Sequence, residues 1–220
     1  MYEDERRFRF CEEYSIEPQP LLRYYQWAEA SITLGYRQAS LKPVYVERDQ
    51  FKPCQVAVRP TGGGIVEHQP GELTYALFLP AAALPNESME NVFKWLSQPL
   101  LSTLQDFGVN AYLKSSNPPM PAGFGVASKA RGTRHDLYAL CFADMAGYEI
   151  GFEGKKILGQ AQRMGRHVFL AQGTFQNLPL PQKDYAQFMQ KWGEKIEEAL
   201  QVWGANSRAS DLGIPRVIQG

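Results

Sequence analysis

The chain is most informative at one stretch, Val58-Arg59-Pro60-Thr61-Gly62-Gly63-Gly64-Ile65-Val66-Glu67-His68, where three consecutive glycines follow an arginine and a threonine. Glycine allows a backbone to approach a ligand closely or to adopt a positive φ angle. An apolar run of strand-forming residues, Leu73 to Leu79, follows a few positions later. Most glycine-rich loops are simple turns, so this one needs support from a second part of the sequence before it indicates a ligand site.

The composition is that of one large folded domain. The chain has 220 residues, of which 44% are hydrophobic and 21% charged, enough to build a substantial core. Lysine plus arginine balances aspartate plus glutamate, so the formal net charge is zero. No overall electrostatic attraction to nucleic acid or to an anionic membrane is expected.

The cysteine and histidine patterns argue against disulfide or metal chemistry. The cysteines are Cys11, Cys54 and Cys141, and the histidines are His68, His135 and His167. No CxxC pair occurs and the histidines lack the spacing of metal ligands, so we expect no zinc site and no disulfide framework.

The charged N-terminus has no apolar run behind it, and no segment of about 18 apolar residues occurs. We therefore expect a cytoplasmic protein with no membrane segment.

Strand and helix patterns alternate along the chain. Strand patterns cover residues 31–35, 55–58, 73–79, 109–113, 137–142 and 167–171. Helical spacing predicts a helix over 90–107, with a kink or a break at Pro99, and a second helix over 184–203. Residues 1–19 show no clear helix, residues 115–134 read as a long loop, and the last dozen residues look like a tail. The pattern predicts an α+β fold with a central mixed or antiparallel sheet and flanking helices, comprising a domain at 1–205 and a tail at 206–220.

A second informative block is Glu153-Gly154-Lys155-Lys156-Ile157-Leu158-Gly159-Gln160-Ala161-Gln162-Arg163. Residues 148–159 read as a β-hairpin whose two-residue turn is Glu153-Gly154. Lys156 comes just after this turn, and Cys141-Phe142 lies upstream. Basic residues cluster in this half of the chain, but a solvated face explains most of them.

Together the two blocks resemble the lipoate–protein ligase and octanoyltransferase family, which is related to biotin–protein ligases. Members carry an Arg-Arg-x-Thr/Ser-Gly-Gly-Gly loop and a Gly-x-Lys-Ile-x-Gly-Ser-Ala-Gln hairpin. The run Ile32-Thr33-Leu34-Gly35-Tyr36-Arg37-Gln38 is similar to the Leu-Gly-x-x-Gln turn of the family. The similarity covers roughly residues 20 to 200 in the right order.

The resemblance implies a site and a reaction. Cys141 matches the nucleophile of the cysteine-dependent octanoyltransferase branch, and Lys156 matches the hairpin lysine of the site. A thiolate is the natural nucleophile for thioester exchange, and a nearby ammonium favours the thiolate. The reaction would move an octanoyl or lipoyl group from an acyl carrier protein, or from an acylated lipoyl domain, to a lysine of an acceptor lipoyl domain. The substrate-binding residues implied are Arg59, Thr61, Gly62, Gly63, Gly64, His68, Gly159 and Ala161.

The chain departs from the family pattern at three positions that bear on activity. Val58 stands in place of the first loop arginine, Gln160 in place of the motif serine, and Gln172 in place of a histidine. Two alternatives therefore stay open. One is an ATP-dependent lipoate–protein ligase that needs ATP and magnesium, whereas the transferase needs no cofactor. The other is a non-catalytic homologue that binds acyl groups or lipoyl domains.

Overall fold

A computed structural model describes residues 1–42, 55–84, 88–114, 149–204 and 216–220 of the chain. The strand predicted at 137–142, the loop predicted at 115–134 and Cys141 itself lie outside the described residues. The strands in chain order are β1 Leu21–Gln26, β2 Ser31–Leu34, β3 Gln55–Val58, β4 Val66–His68, β5 Leu73–Pro80, β6 Tyr112–Leu113, β7 Ile150–Phe152, β8 Lys155–Lys156, β9 Leu158–Met164, β10 Val168–Phe175 and β11 Arg216–Gln219. The helices are α1 Tyr2–Glu13, α2 Met89–Asp106 and α3 Tyr185–Gly204.

The main sheet has five strands in the order β11-β1-β5-β10-β9. All neighbours pair antiparallel except β1 and β11, which are parallel, so the sheet is mixed. Every residue of β5 and β10 is buried, as expected for strands that are covered on both faces. This architecture confirms the predicted α+β class.

The two long helices cover one face of this sheet. The apolar stripe predicted for α3 forms core packing: Phe188, Met189, Trp192 and Ile196 are all buried. Trp192 meets the ring of Tyr75 from β5 edge-on, with 4.7 Å between centroids. Of the kink or break predicted at Pro99, the break does not occur, because helix α2 continues through this residue. Proline removes one backbone hydrogen bond, but the buried leucines of α2 on both sides of Pro99 hold the helix on the core.

The N-terminal helix α1 covers the opposite face, and the sequence pattern did not reveal it. Its only buried side chains are those of Asp4, Phe8 and Cys11, so the apolar stripe is too thin to recognise. The helix is held by polar contacts instead, including an ion pair from Arg23 to Asp4 at 2.9 Å. The carboxylate of Glu12 accepts hydrogen bonds from the three backbone amides of residues 166–168, between β9 and β10.

The end of the chain corrects the predicted tail at 206–220. Residues 216–219 form β11, which pairs with β1 and extends the main sheet. Val217 of β11 packs against α3 at Gly193. A Cβ atom at Gly193 would lie 2.6 Å from Val217 Cγ2, so this close contact depends on glycine. A four-residue edge strand carries too little periodicity to be recognised without its partner.

Two small sheets complete the fold. One has the order β3-β2-β4 and carries the glycine loop between β3 and β4. The other has the order β6-β7-β8 and contains the predicted hairpin. Among the helices described, none combines the length and the apolar composition needed to cross a membrane.

Candidate active site

The glycine loop is fixed by close backbone packing. Gly63 has a φ of +87°, a conformation that residues with a Cβ atom rarely adopt. Gly35, at the end of β2, lies so close to the loop that a Cβ atom there would be 2.4 Å from the carbonyl oxygen of Gly63. Gly35 therefore has no room for a side chain because its backbone contacts that of the loop, whereas Gly63 favours glycine because of its positive φ.

Arg59 organises this loop from inside. Its side chain is buried and donates to the backbone oxygen of Thr33 at 2.9 Å and to Thr33 Oγ1 at 2.7 Å. The same guanidinium donates to the carbonyl oxygens of Gly62 at 3.0 Å and Gly64 at 2.6 Å. The planar fork of arginine suits this several-sided role. In this structure Arg59 shapes the loop through these contacts.

The hairpin block is formed as predicted. Its turn residues Glu153 and Gly154 both have positive φ angles, +48° and +76°. Lys156 Nζ contacts Glu149 Oε1 at 2.5 Å, and the two side chains are 5% and 10% exposed. A buried ammonium needs such a partner, because an uncompensated charge is costly away from water. The sequence analysis placed Glu149 in the predicted hairpin, next to Tyr148, but did not identify it as a site residue.

The two sequence blocks meet in space. Strand β9 continues from the hairpin and brings Ala161 opposite the loop, so that a Cβ atom on Gly63 would lie 3.6 Å from Ala161 Cβ. A small cavity lies beside this contact. It is lined by Met1, Thr33, Arg59, Val66, His68, Thr74, Gly159, Gln160, Ala161, Gln172, Gly173 and Thr174. Its volume is about 20 Å³, room for about one water molecule.

Gln172, one of the departures from the family pattern, joins the loop to α1. Thr61 Oγ1 donates to Gln172 Oε1 at 2.9 Å, and Gln172 Nε2 donates to Asp4 Oδ2 at 2.9 Å. Burial raises the pKa of Asp4, although the neighbouring N-terminal amine and Arg23 oppose that shift. The amide of Gln172 satisfies both neighbours at once without carrying a charge of its own.

His68 belongs to a directed chain of hydrogen bonds below the cavity. The Glu72 carboxylate can only accept from Nδ1, so Nε2 of the neutral His68 ring accepts from the Thr33 hydroxyl at 2.8 Å. The ring then carries its proton on Nδ1 and donates to Glu72 Oε1 at 2.8 Å. Burial lowers the pKa of His68, which favours the neutral ring.

A second series of hydrogen bonds, which begins at Trp27, also ends on Glu72. Trp27 Nε1 donates to Thr74 Oγ1 at 2.8 Å. The hydroxyls of Thr74 and Thr174 are 2.8 Å apart, and Thr174 donates to Glu72 Oε1 at 2.6 Å. The indole of Trp27 stacks on His68, with 4.1 Å between ring centroids. Both halves of the network therefore end on one carboxylate oxygen.

The structure places the predicted site residues in two groups. Arg59, His68, Gly159 and Ala161 line the cavity, and Thr61 and the three glycines lie beside it. Lys156 lies in the hairpin with Glu149 and does not line this cavity. Sequence reasoning missed the two residues that hold His68, namely Thr33 and Glu72. Their signal was weak, because both residue types are common in strands and turns.

The site therefore combines a glycine loop with β9, the strand that follows the lysine-bearing hairpin, within a mixed sheet. The model of the lipoyl protein ligase A/B catalytic domain matches residues 7–212. The chain belongs to this family, and the resemblance inferred from the sequence is confirmed.

Curated relatives and solved structures agree with this assignment. The chain is 30% identical over 157 residues to octanoyltransferase LipM of Lysinibacillus sphaericus, which covers 70% of this chain and 53% of that protein. It is 28% identical over 173 residues to octanoyltransferase LipM of Staphylococcus aureus, covering 78% and 58%. The chain thus spans about half the length of the curated relatives it matches. The structure of protein Ta0514 from T. acidophilum with bound lipoic acid shares the fold, with a TM-score of 0.60 at 17% identity, over 91% of this chain and 81% of that one.

Proposed function

We propose that this protein is an acyltransferase that moves an octanoyl or lipoyl group from a carrier-protein thioester to a lysine of a lipoyl domain. The observation that carries the proposal is the contact between the glycine loop and β9, which forms one cavity from the two family motifs. The relatives named octanoyltransferase LipM favour this branch of the family. The donor and acceptor proteins, and a cytoplasmic location, are part of the same proposal.

The reaction would proceed in two balanced steps. The thiolate of Cys141 attacks the thioester carbonyl, and the carrier thiolate leaves and takes up a proton. The neutral ε-amine of the acceptor lysine then attacks the acyl-cysteine, which forms the amide and returns the Cys141 thiolate with release of a proton. The ammonium of Lys156 would favour the thiolate and stabilise the developing oxyanion. No ATP is needed, because the thioester supplies the free energy.

The cavity beside the glycine loop would hold the acyl chain. Its present volume of about 20 Å³ is too small for eight carbons, so binding of the chain would require the lining residues to move. The Met1 side chain lines this space, and its sulfur accepts a hydrogen bond from Gln172 Nε2 at 3.4 Å. An entering acyl chain would have to displace Met1 or shift the glycine loop.

An acyl-adduct experiment tests the function. The protein is incubated with octanoyl-carrier thioester and its intact mass is measured, alongside the Cys141→Ala and Cys11→Ala variants. We expect an octanoyl adduct on the wild type and on Cys11→Ala, and none on Cys141→Ala. Cys11 is a suitable control because it lies on the buried face of α1, where desolvation raises the pKa of its thiol. Full lysine transfer by Cys141→Ala would overturn the proposal.

The same assay separates the two alternatives. An ATP-dependent ligase would form no adduct from the thioester but would show lipoate-dependent pyrophosphate exchange in the presence of ATP and magnesium. A non-catalytic homologue would show neither activity while still binding a lipoyl domain or an acyl thioester. Lys156→Met should slow adduct formation in the transferase, and unchanged rates in this variant would remove Lys156 from the mechanism.

A further inference from the structure

A second cavity, open to solvent, lies on the other side of residues that line the first. Its volume is about 440 Å³ and its walls are mostly polar. Its lining residues include Glu67, Glu72, Phe175, Leu178 and Tyr185. None of these residues lines the first cavity. Neither the family motifs nor the proposed reaction assigns a role to this space.

One carboxylate separates the two cavities. Glu72 lines the second cavity, and its Oε1 lies 2.8 Å from His68 Nδ1 and 2.6 Å from Thr174 Oγ1. His68 and Thr174 are themselves lining residues of the first cavity. The wall between the two spaces is therefore the Glu72 side chain together with the two side chains that donate to it.

Hydrogen bonds and burial hold the three side chains of this wall in place. The Glu72 side chain is 6% exposed, and His68 and Thr174 are almost fully buried. Because the donors from His68 and Thr174 both converge on one oxygen, withdrawal of the carboxylate would leave both without that acceptor, which is costly in a buried place. Stacking of Trp27 on His68 restrains the ring from the side. An apolar chain end has no polar group with which to replace these bonds.

We propose that Glu72 is a specificity-determining residue that closes the acyl pocket at its inner end and so sets the longest acyl chain the enzyme accepts. The inference rests on the proposed function, because it assumes that the first cavity receives the chain. Truncation of Glu72 would join the first cavity to the 440 Å³ space behind it. The chain-length limit would then move to longer acyl groups.

The test compares acyl donors of increasing length. Hexanoyl, octanoyl, decanoyl and dodecanoyl carrier thioesters are offered to the wild type, Glu72→Ala and Glu72→Gln, and the rate of adduct formation is followed by intact mass. Glu72→Gln is the matched control, because the amide keeps the size of the wall. We expect the wild type and Glu72→Gln to share one length limit. We expect Glu72→Ala to accept a chain two carbons longer about tenfold better, relative to octanoyl, than the wild type does, because the side chain that excludes an overlong chain is gone.

A second variant keeps the test decisive if Glu72→Ala does not fold. Thr174→Ala thins the same wall from the acyl side and retains the carboxylate, so it should shift the profile in the same direction by a smaller factor. An unchanged length profile in the folded variants overturns the role of Glu72, as does an equal shift in Glu72→Gln. Absence of an adduct with every donor in the wild type would instead overturn the proposed acyl transfer itself.

Discussion

Single glycines decide whether the candidate pocket can form. A Cβ atom at Gly35 would lie 2.4 Å from Gly63 O, whereas one at Gly62 would lie 3.7 Å from the Tyr36 ring, an ordinary contact. Gly35→Ala should therefore lower the free energy of unfolding by about 1–3 kcal/mol, the usual cost of overpacking. Gly62→Ala should leave it equal or higher. Urea unfolding of both variants measures the difference, and equal losses would show that the loop simply moves aside.

The ion pair of Lys156 and Glu149 makes a second residue-scale prediction. Glu149→Ala removes a carboxylate that contacts the buried ammonium of Lys156, so it should lower the free energy of unfolding by about 1–3 kcal/mol. The double variant Glu149→Leu with Lys156→Met should cost clearly less, because no buried charge remains. A double-mutant cycle by urea unfolding gives the coupling free energy. Strictly additive losses would contradict an ion pair that stabilises the hairpin.

At the scale of elements, one carboxylate links α1 to the turn between β9 and β10, in addition to the buried side chains of Phe8 and Cys11. Glu12 accepts from three backbone amides between β9 and β10, and the adjacent Glu13 is exposed. Glu12→Ala should lower stability by about 0.5–1.5 kcal/mol, because three exposed or partly buried amides lose their shared acceptor, while Glu13→Ala should stay within about 0.5 kcal/mol. Hydrogen exchange should also speed up at residues 166–168 in Glu12→Ala alone. Unchanged exchange there would mean that α1 is held by other contacts.

Elements with strong periodicity were predictable from the sequence, and elements held by partners were not. The stripe of α3 and the buried strand β5 repeat apolar residues often enough to be read directly. Helix α1 and strand β11 have few apolar residues, and each is defined by its contact with β1 or β10. The same distinction holds in the site. The glycine loop and the hairpin were visible as motifs, but Glu72 and Thr33 became evident only through their bonds to His68.

At the scale of the whole molecule, buried titrating groups should set how stability changes with pH. Burial lowers the pKa of His68 below its ordinary value of 6.5. As the pH falls through about 6.5, the unfolded chain therefore takes up a proton that the folded chain does not. The stability associated with neutral His68 is complete above that pH and declines as the pH falls toward the folded value. Asp4 changes stability in the opposite sense. Burial raises its pKa, so its protonation at falling pH removes a buried charge and favours the folded state.

Replacement of His68 separates these two contributions. The wild type should lose up to about 1.4 kcal/mol of unfolding free energy per pH unit from this one proton just below pH 6.5. His68→Gln lacks the titrating ring, so it should be less stable at neutral pH yet show a flatter pH dependence between about pH 7 and 5. Asp4→Asn should keep the wild-type slope in the upper part of that range. Urea unfolding at several pH values measures all three, and a slope in His68→Gln equal to that of the wild type would mean that another group controls acid stability.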